Sequence, residues 1–285
     1  MSKKIRGISL LAFFLIIIGL VVVRSVTTSK AAEIKNLTSA EIDKARQFNQ
    51  APGPALAAGY FAPILTFHHI APLPPQADKI EKNLHVLPAD FNNMLQALIA
   101  GQYKLVFVSE LADYLARGEK PPRDWVALSF DDGYEDFYTY VFPLLKQYNL
   151  KVSLYVITEM NGGVYLTRSQ IKELDLSGLV EIGSHTVDHP VLAKLPPAKQ
   201  MIELLRSKET LDALLGKPTK IICYPYGAYD KTTEVLAKQA GYQYGLTYNH
   251  RPLRDSRDLF AIDRVGVWSD MNVVKFLQGL SLRKP

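Results

Sequence analysis

Two pairs of residues carry the chemistry open to this chain. Asp131 and Asp132 sit side by side in Ser129-Phe130-Asp131-Asp132-Gly133, after the apolar run Trp125-Val126-Ala127-Leu128. His185 and His189 stand four apart in His185-Thr186-Val187-Asp188-His189, after Leu179-Val180-Glu181-Ile182-Gly183. Two imidazoles at this spacing reach one metal ion if the segment between them is a helical turn or a tight loop. Imidazole suits zinc, and one carboxylate completes three protein ligands with a position left open. A second carboxylate beside that position could deprotonate water. Adjacent strand residues point to opposite faces, so both Asp side chains serve one site only if the strand breaks there. Gly133 lets the chain turn away. Taken alone, Asp-Asp-Gly reads as a turn between a strand and a helix. The His pair, also placed just after a strand, makes metal binding the better reading.

The elements that must position these residues alternate in type. Strands are expected at 63–67, 104–108, 125–128, 151–157, 179–183, 221–223, 242–247 and 260–267 from short apolar or β-branched runs. Between them, apolar residues at spacings of three and four predict helices, such as Phe91, Met94, Leu95, Leu98 and Ile99 after Pro88. Further helices are expected over 109–117, 137–148 with Pro143 as a local defect, 167–174, 196–215 and 230–240, with a terminal helix opening at Asp270. Alternating strands and helices indicate a parallel sheet with helices outside. About seven or eight units suit a distorted (β/α) barrel, whose chemistry gathers at the C-terminal strand ends. His68, Asp131, Asp132, His185, His189 and Tyr226 all fall just after expected strands.

Ser-Phe-Asp-Asp-Gly, His-Thr-Val-Asp-His and Tyr224-Pro225-Tyr226-Gly227 resemble the first three motifs of NodB-type polysaccharide deacetylases, carbohydrate esterase family four. The resemblance extends from about Pro63 onward. It implies a NodB-like barrel of about seven strands and hydrolysis of the acetamide of an N-acetylated sugar. A divalent metal would polarise the carbonyl and activate water; zinc is the first expectation, with cobalt or nickel able to use the same ligands. By resemblance Asp131 is the base, and Asp132, His185 and His189 bind the metal. The backbone N–H of Tyr226 would help hold the oxyanion, and Tyr224, Tyr226 and Trp268 are candidates for contact with sugar. Trp268 packing under a last helix is the competing reading.

The proton donor requires a different source. The family usually carries a Leu-x-His motif near the C-terminus, yet no His follows His250 here. The first strand instead ends in Phe67-His68-His69. This resembles the circularly permuted biofilm poly-N-acetylglucosamine deacetylases of the intercellular adhesin type, and it implies that His68 is the acid. Strand alternation points His69 the other way, leaving it as a partly exposed loop residue, and His85 has no supporting context. Many family members have an Arg where Cys223 stands, and that Arg orients the base. Arg264 could take over, or it could pair at a barrel rim with Asp263 or Asp255. Cys223 reads as a small buried residue.

Composition bounds the rest. The 285 residues are 48% hydrophobic, enough for a sizeable core. Formal net charge is +5, three of the positive charges being Lys3, Lys4 and Arg6, and no basic stripe argues for nucleic acid. Those three cations precede an apolar run from Ile8 to Val23. Residues 1–24 therefore read as a signal-anchor or signal peptide, 25–60 as a stalk with a short helix from about Ser39 to Gln50, and 61–285 as the deacetylase domain. The single cysteine allows no internal disulfide. The expected protein is an extracellular monomer, anchored to the membrane or secreted, acting on a polymer of N-acetylglucosamine. A peptidoglycan or chitin-type substrate, a zinc hydrolase of some other amide, and a carbohydrate-binding barrel without turnover are the alternatives.

Overall fold

The computed structural model describes residues 63–248, 258–268, 271–273 and 275. The expected N-terminal segment and stalk, His250 and most of the expected terminal helix lie outside them. Among the described residues no helix is long and apolar enough to cross a membrane.

Eight parallel strands make the main sheet: β1 (Ile64–Phe67), β4 (Lys104–Val106), β5 (Trp125–Phe130), β6 (Val152–Val156), β7 (Val180–Ser184), β8 (Ile221–Cys223), β9 (Tyr244–Leu246) and β10 (Val265–Gly266). Seven of them form one path, β10-β1-β5-β6-β7-β8-β9, and β4 pairs with the start of β5. Ile262, three residues before β10, bridges Leu246 of β9. The path thus curls back towards its own start, as a distorted partial barrel. Two short strands, β2 (His69–Ile70) and β3 (His85–Val86), pair beside it. Helix α1 (Lys79–Leu84) between them was not expected from the sequence, although Asp78 and Glu81 form a capping box that signals it.

The larger helices follow the expected register. They are α2 (Pro88–Ala100), α3 (Val108–Ala116), α4 (Phe142–Tyr148), α5 (Arg168–Leu176), α6 (Pro197–Leu215) and α7 (Lys231–Gln239). Phe137–Val141 form a wider π-type turn, closed by the Phe142 N–H on the Phe137 carbonyl. Pro143, which has no N–H to give, follows at once.

Two-residue alternation sorts side chains into the barrel and out of it. On β5, Val126, Leu128 and Phe130 pack outward under the helices, whereas Ala127 faces inward and Ser129 bonds within the barrel. On β1, Leu65 and Phe67 go out while Ile64 and Thr66 go in. On β8, Ile222 and Tyr224 join the outer layer, while Ile221 and Cys223 face inward. On β7, Val180 and Ile182 go out while Gly183 faces in against Tyr155. Continuing the inward series of β1, β5 and β7 past their strand ends gives His68, Asp131 and His185.

Close packing inside the barrel depends on Gly183. A Cβ there would lie 2.5 Å from the Tyr155 ring, which is wholly buried and has the Arg264 guanidinium 5.8 Å from its centroid. Gly183→Ala is expected to destabilise the fold by about 1–3 kcal/mol, read as a lowered thermal midpoint. An unchanged midpoint would show that Tyr155 has room to move.

Candidate active site

The strand break demanded by the Asp pair is present. Asp132 has φ +71° and Gly133 φ +76°. The left-handed turn is open to glycine but costs a non-glycine residue about 1 kcal/mol or more. It turns Asp132 towards the same mouth as Asp131. Thr186, His189 and Tyr226 also have positive φ, so strain is concentrated around this mouth.

Asp132, His185 and His189 converge. Asp132 Oδ1 lies 3.4 Å from the Nε2 of each imidazole, and the two Nε2 atoms are 3.1 Å apart. The segment between the histidines is a tight loop. Glu203 of α6 accepts from the N–H of Val187 (2.9 Å) and of Asp188 (3.1 Å), and Thr186 Oγ1 accepts from the His189 N–H. His185 Nδ1 donates to the Cys223 carbonyl at 2.8 Å. A carbonyl only accepts, so Nδ1 carries a proton and Nε2 is the atom left to act as a ligand. Burial and then the neighbouring His185 push His189 down to about 4; burial also opposes charge on His185, but Cys223 and Asp132 outweigh it and raise His185 well above 6.5, so a cation would displace a proton from its Nε2. Asp132 Oδ1 is buried and has no hydrogen-bond partner. Two imidazole Nε2 atoms facing one another and a carboxylate oxygen without a hydrogen bond fit a divalent cation such as zinc. A second grouping, Asp131, His185 and Cys223, is equally compact, but Arg264 already occupies both Asp131 oxygens and His185 meets it with its protonated Nδ1.

The Asp131–Arg264 pair is bidentate, with Nη1 to Oδ1 at 2.7 Å and Nη2 to Oδ2 at 2.8 Å. Asp131 is 4% exposed and Arg264 1%. Arg264 also donates to the Thr247 carbonyl through Nε and to Ser129 Oγ. Its Nη2 lies 3.0 Å from Cys223 Sγ, which lies 3.6 Å from Asp131 Oδ1. Of the two readings of Arg264, the structure shows it on the base candidate, while Asp255 lies outside the described residues. A small residue at 223 leaves the guanidinium its place. Burial opposes ionisation of Asp131, but the Arg264 charge and hydrogen bonds outweigh it and hold the carboxyl well below the usual carboxylate range.

His68 is half-buried, with its ring edge-on to Tyr248 at 6.3 Å. Burial lowers its pKa below 6.5, against the pull of Asp131 and then Asp132. His69 does point away, but it is a strand residue and not a loose loop residue: its Nδ1 is 2.6 Å from Asp136 Oδ2, and its ring stacks on Tyr134 at 3.7 Å and on His85 at 4.4 Å. Tyr226 is 65% exposed, its ring 4.6 Å from that of His189. Trp268 is 39% exposed. Tyr224, a candidate for sugar contact, is corrected: it is fully buried, stacked on Tyr229 in the layer between β8 and α6 and α7. It follows the inward Cys223, so alternation sends it out of the barrel, a signal present in the sequence. Tyr134, Asp136, Glu203 and Tyr248 were not foreseen, because nothing local marks them as neighbours of the site.

Residues 118–245 match the polysaccharide deacetylase family. The Bacillus subtilis polysaccharide deacetylase-type protein YxkH is 32% identical over 211 residues, 74% of this chain and 72% of that one. The Streptococcus pyogenes deacetylase PplD, solved in complex with acetate, superposes with a TM-score of 0.72 at 32% identity, covering 78% of this chain and 99% of that one. The poly-beta-1,6-N-acetyl-D-glucosamine N-deacetylase of Staphylococcus epidermidis is 27% identical over 228 residues, 72% of this chain and 78% of that one.

Proposed function

Since this chain belongs to the polysaccharide deacetylase family, we propose that it is a metal-dependent N-deacetylase of poly-β-1,6-N-acetyl-D-glucosamine working outside the cell. The observation that carries the metal-dependent reading is the junction of two arrangements: an Asp-His-His triad with an orphaned carboxylate oxygen, beside a buried aspartate locked by an arginine. Support for the polymer comes from the staphylococcal relative and from the histidine placed after the first strand. The apolar run after Lys3, Lys4 and Arg6 supports export, with the chain held at the membrane or released.

Asp132, His185 and His189 would hold the metal, most simply zinc. When bound, the ion supplies Lewis-acid polarisation of the acetyl carbonyl and lowers the pKa of water. Asp131 takes the proton from attacking water. Arg264 keeps its carboxylate ionised and fixes both oxygens, so the base is present and aimed at any pH near neutral. The departing nitrogen must be protonated, since an amide anion is too poor a leaving group. His68 is the donor. Burial keeps its ring neutral before reaction, so it acquires its proton within the turnover, and the acid whose charge acts most strongly on it is Asp131. The Tyr226 N–H would hold the oxyanion, with the exposed rings of Tyr226 and Trp268 offering faces to sugar.

The test is acetate release by the purified protein from poly-β-1,6-N-acetylglucosamine, chitin oligomers, peptidoglycan and small acetamides, with and without a chelator. Release from the first polymer, lost on chelation and restored by zinc, cobalt or nickel, is expected. Release confined to peptidoglycan or chitin would move the substrate assignment. Release indifferent to chelation, or none from any sugar, would sink the metal-dependent reading.

A further inference from the structure

The second histidine of the His68-His69 pair is absorbed by none of the chemistry above, yet it is among the most tightly held side chains near the site. Its Nδ1 is 2.6 Å from Asp136 Oδ2, and the other oxygen of Asp136 accepts from the Ile70 N–H at 3.1 Å. Asp136 thereby ties β2 to the segment that leaves the Asp pair. The His69 ring lies on Tyr134 with 3.7 Å between centroids and 24° between planes. Behind it is His85, 4.4 Å away and at 14°; beyond Tyr134 is Tyr165, 5.2 Å away and at 21°. Four rings from four separate segments form one column.

The column borders Asp132, whose φ of +71° must be imposed from outside. On one side the imposition is backbone: Tyr134 bridges Tyr165, Glu135 N–H donates to the Val164 carbonyl, and Leu166 N–H donates to the Gly133 carbonyl at 2.9 Å. A Cβ on Gly133 would lie 2.9 Å from Val156 Cγ1, so the turn sits directly on β6. On the other side stand Asp136 and the His69 ring. Removing His69 therefore frees one flank of the turn that carries Asp132.

We propose that His69 is a positioning residue: clamped by Asp136 and stacked on Tyr134, it holds the Asp132 turn in the geometry that binds metal. Its role is separate from that of His68, which faces the reacting groups. The inference rests on Asp132 being a metal ligand. Outer partners of a ligand typically tune metal affinity 10- to 100-fold.

The experiment compares the wild-type protein with His69→Leu, His69→Phe and Tyr134→Leu. Zinc affinity is measured by competition with a chromophoric chelator, the thermal midpoint is measured on metal-free protein, and kcat is measured at saturating zinc. His69→Leu and Tyr134→Leu are expected to weaken zinc on the order of tenfold or more. His69→Phe, which keeps a flat ring on Tyr134, is expected to lose less. Saturating zinc should return kcat to within a few-fold of wild type, with metal-free midpoints little changed. Unaltered zinc affinity in both leucine variants would overturn the proposal. So would a kcat for His69→Leu that stays low at saturating zinc, which would make His69 itself the proton donor. A metal-free midpoint lowered enough to account for the affinity loss would make the column a fold element only. Failure of the wild-type protein to bind zinc would instead remove the metal reading beneath it.

Discussion

Asp132→Ala is expected to abolish metal binding and to lower acetate release by roughly three orders of magnitude or more, since the metal's charge stabilisation is worth several kcal/mol. The carboxylate supplies the only anionic ligand of the triad, and its Oδ1 has no partner other than a cation to justify its burial. Truncation leaves two imidazoles 3.1 Å apart with no carboxylate between them and a cation. His185→Ala should behave the same way, because it removes the ring whose tautomer the Cys223 carbonyl sets. Asp131→Asn is the contrast: metal retained, rate lost. Metal content by elemental analysis alongside acetate release separates the two classes. An Asp132→Ala protein that still held stoichiometric zinc would move the site elsewhere. The fold should survive in this variant, since truncation removes a buried carboxylate oxygen that has no hydrogen bond in the metal-free protein.

Arg264→Met is expected to damage both activity and stability. It strands Asp131, 4% exposed, as a buried charge without its guanidinium. Breaking such a pair from one side costs about 3–5 kcal/mol, and loss of base alignment costs a further rate factor of about 100. The pH dependence follows from the sign of the shift. Asp131 is depressed in the folded protein, so the stability it contributes is complete above the ordinary aspartate pKa. That contribution is lost only as pH falls through the depressed value. Without Arg264, desolvation dominates and raises the pKa, so the variant must bury a charge as pH rises. The gap in thermal midpoint between wild type and Arg264→Met should therefore widen from acid to neutral pH. Arg264→Lys keeps a charge but not the two-pronged contact, and should fall between them. A constant gap across pH would show that the loss is one of packing alone.

Much of this was legible in one dimension. The apolar runs predict six of the seven path strands to within about two residues, whereas of the run 260–267 only Val265–Gly266 is strand. Pro143 reads as a helix defect, and a π-type turn precedes it. Alternation also separates His68 from His69 and places Tyr224 opposite Cys223, although the Tyr-Pro-Tyr-Gly motif alone had suggested a sugar contact for Tyr224. The short α1 was missed despite its capping box, because the prolines around it read as loop.

The sequence by itself determined which residues stand at strand ends and what chemistry their types permit. Local physics does that: strand periodicity, glycine conformation, and the preferences of imidazole and carboxylate for a cation. Only the tertiary structure decided who meets whom. Arg264 reaches Asp131 across 133 residues because the curled sheet sets β10 beside β1 and β1 beside β5. His69 finds Asp136 and Tyr134 through a two-residue strand whose partner, β3, lies on the far side of α1. Such contacts depend on strand order and register, which arise from the simultaneous burial of many apolar faces, and no local window of sequence carries that information.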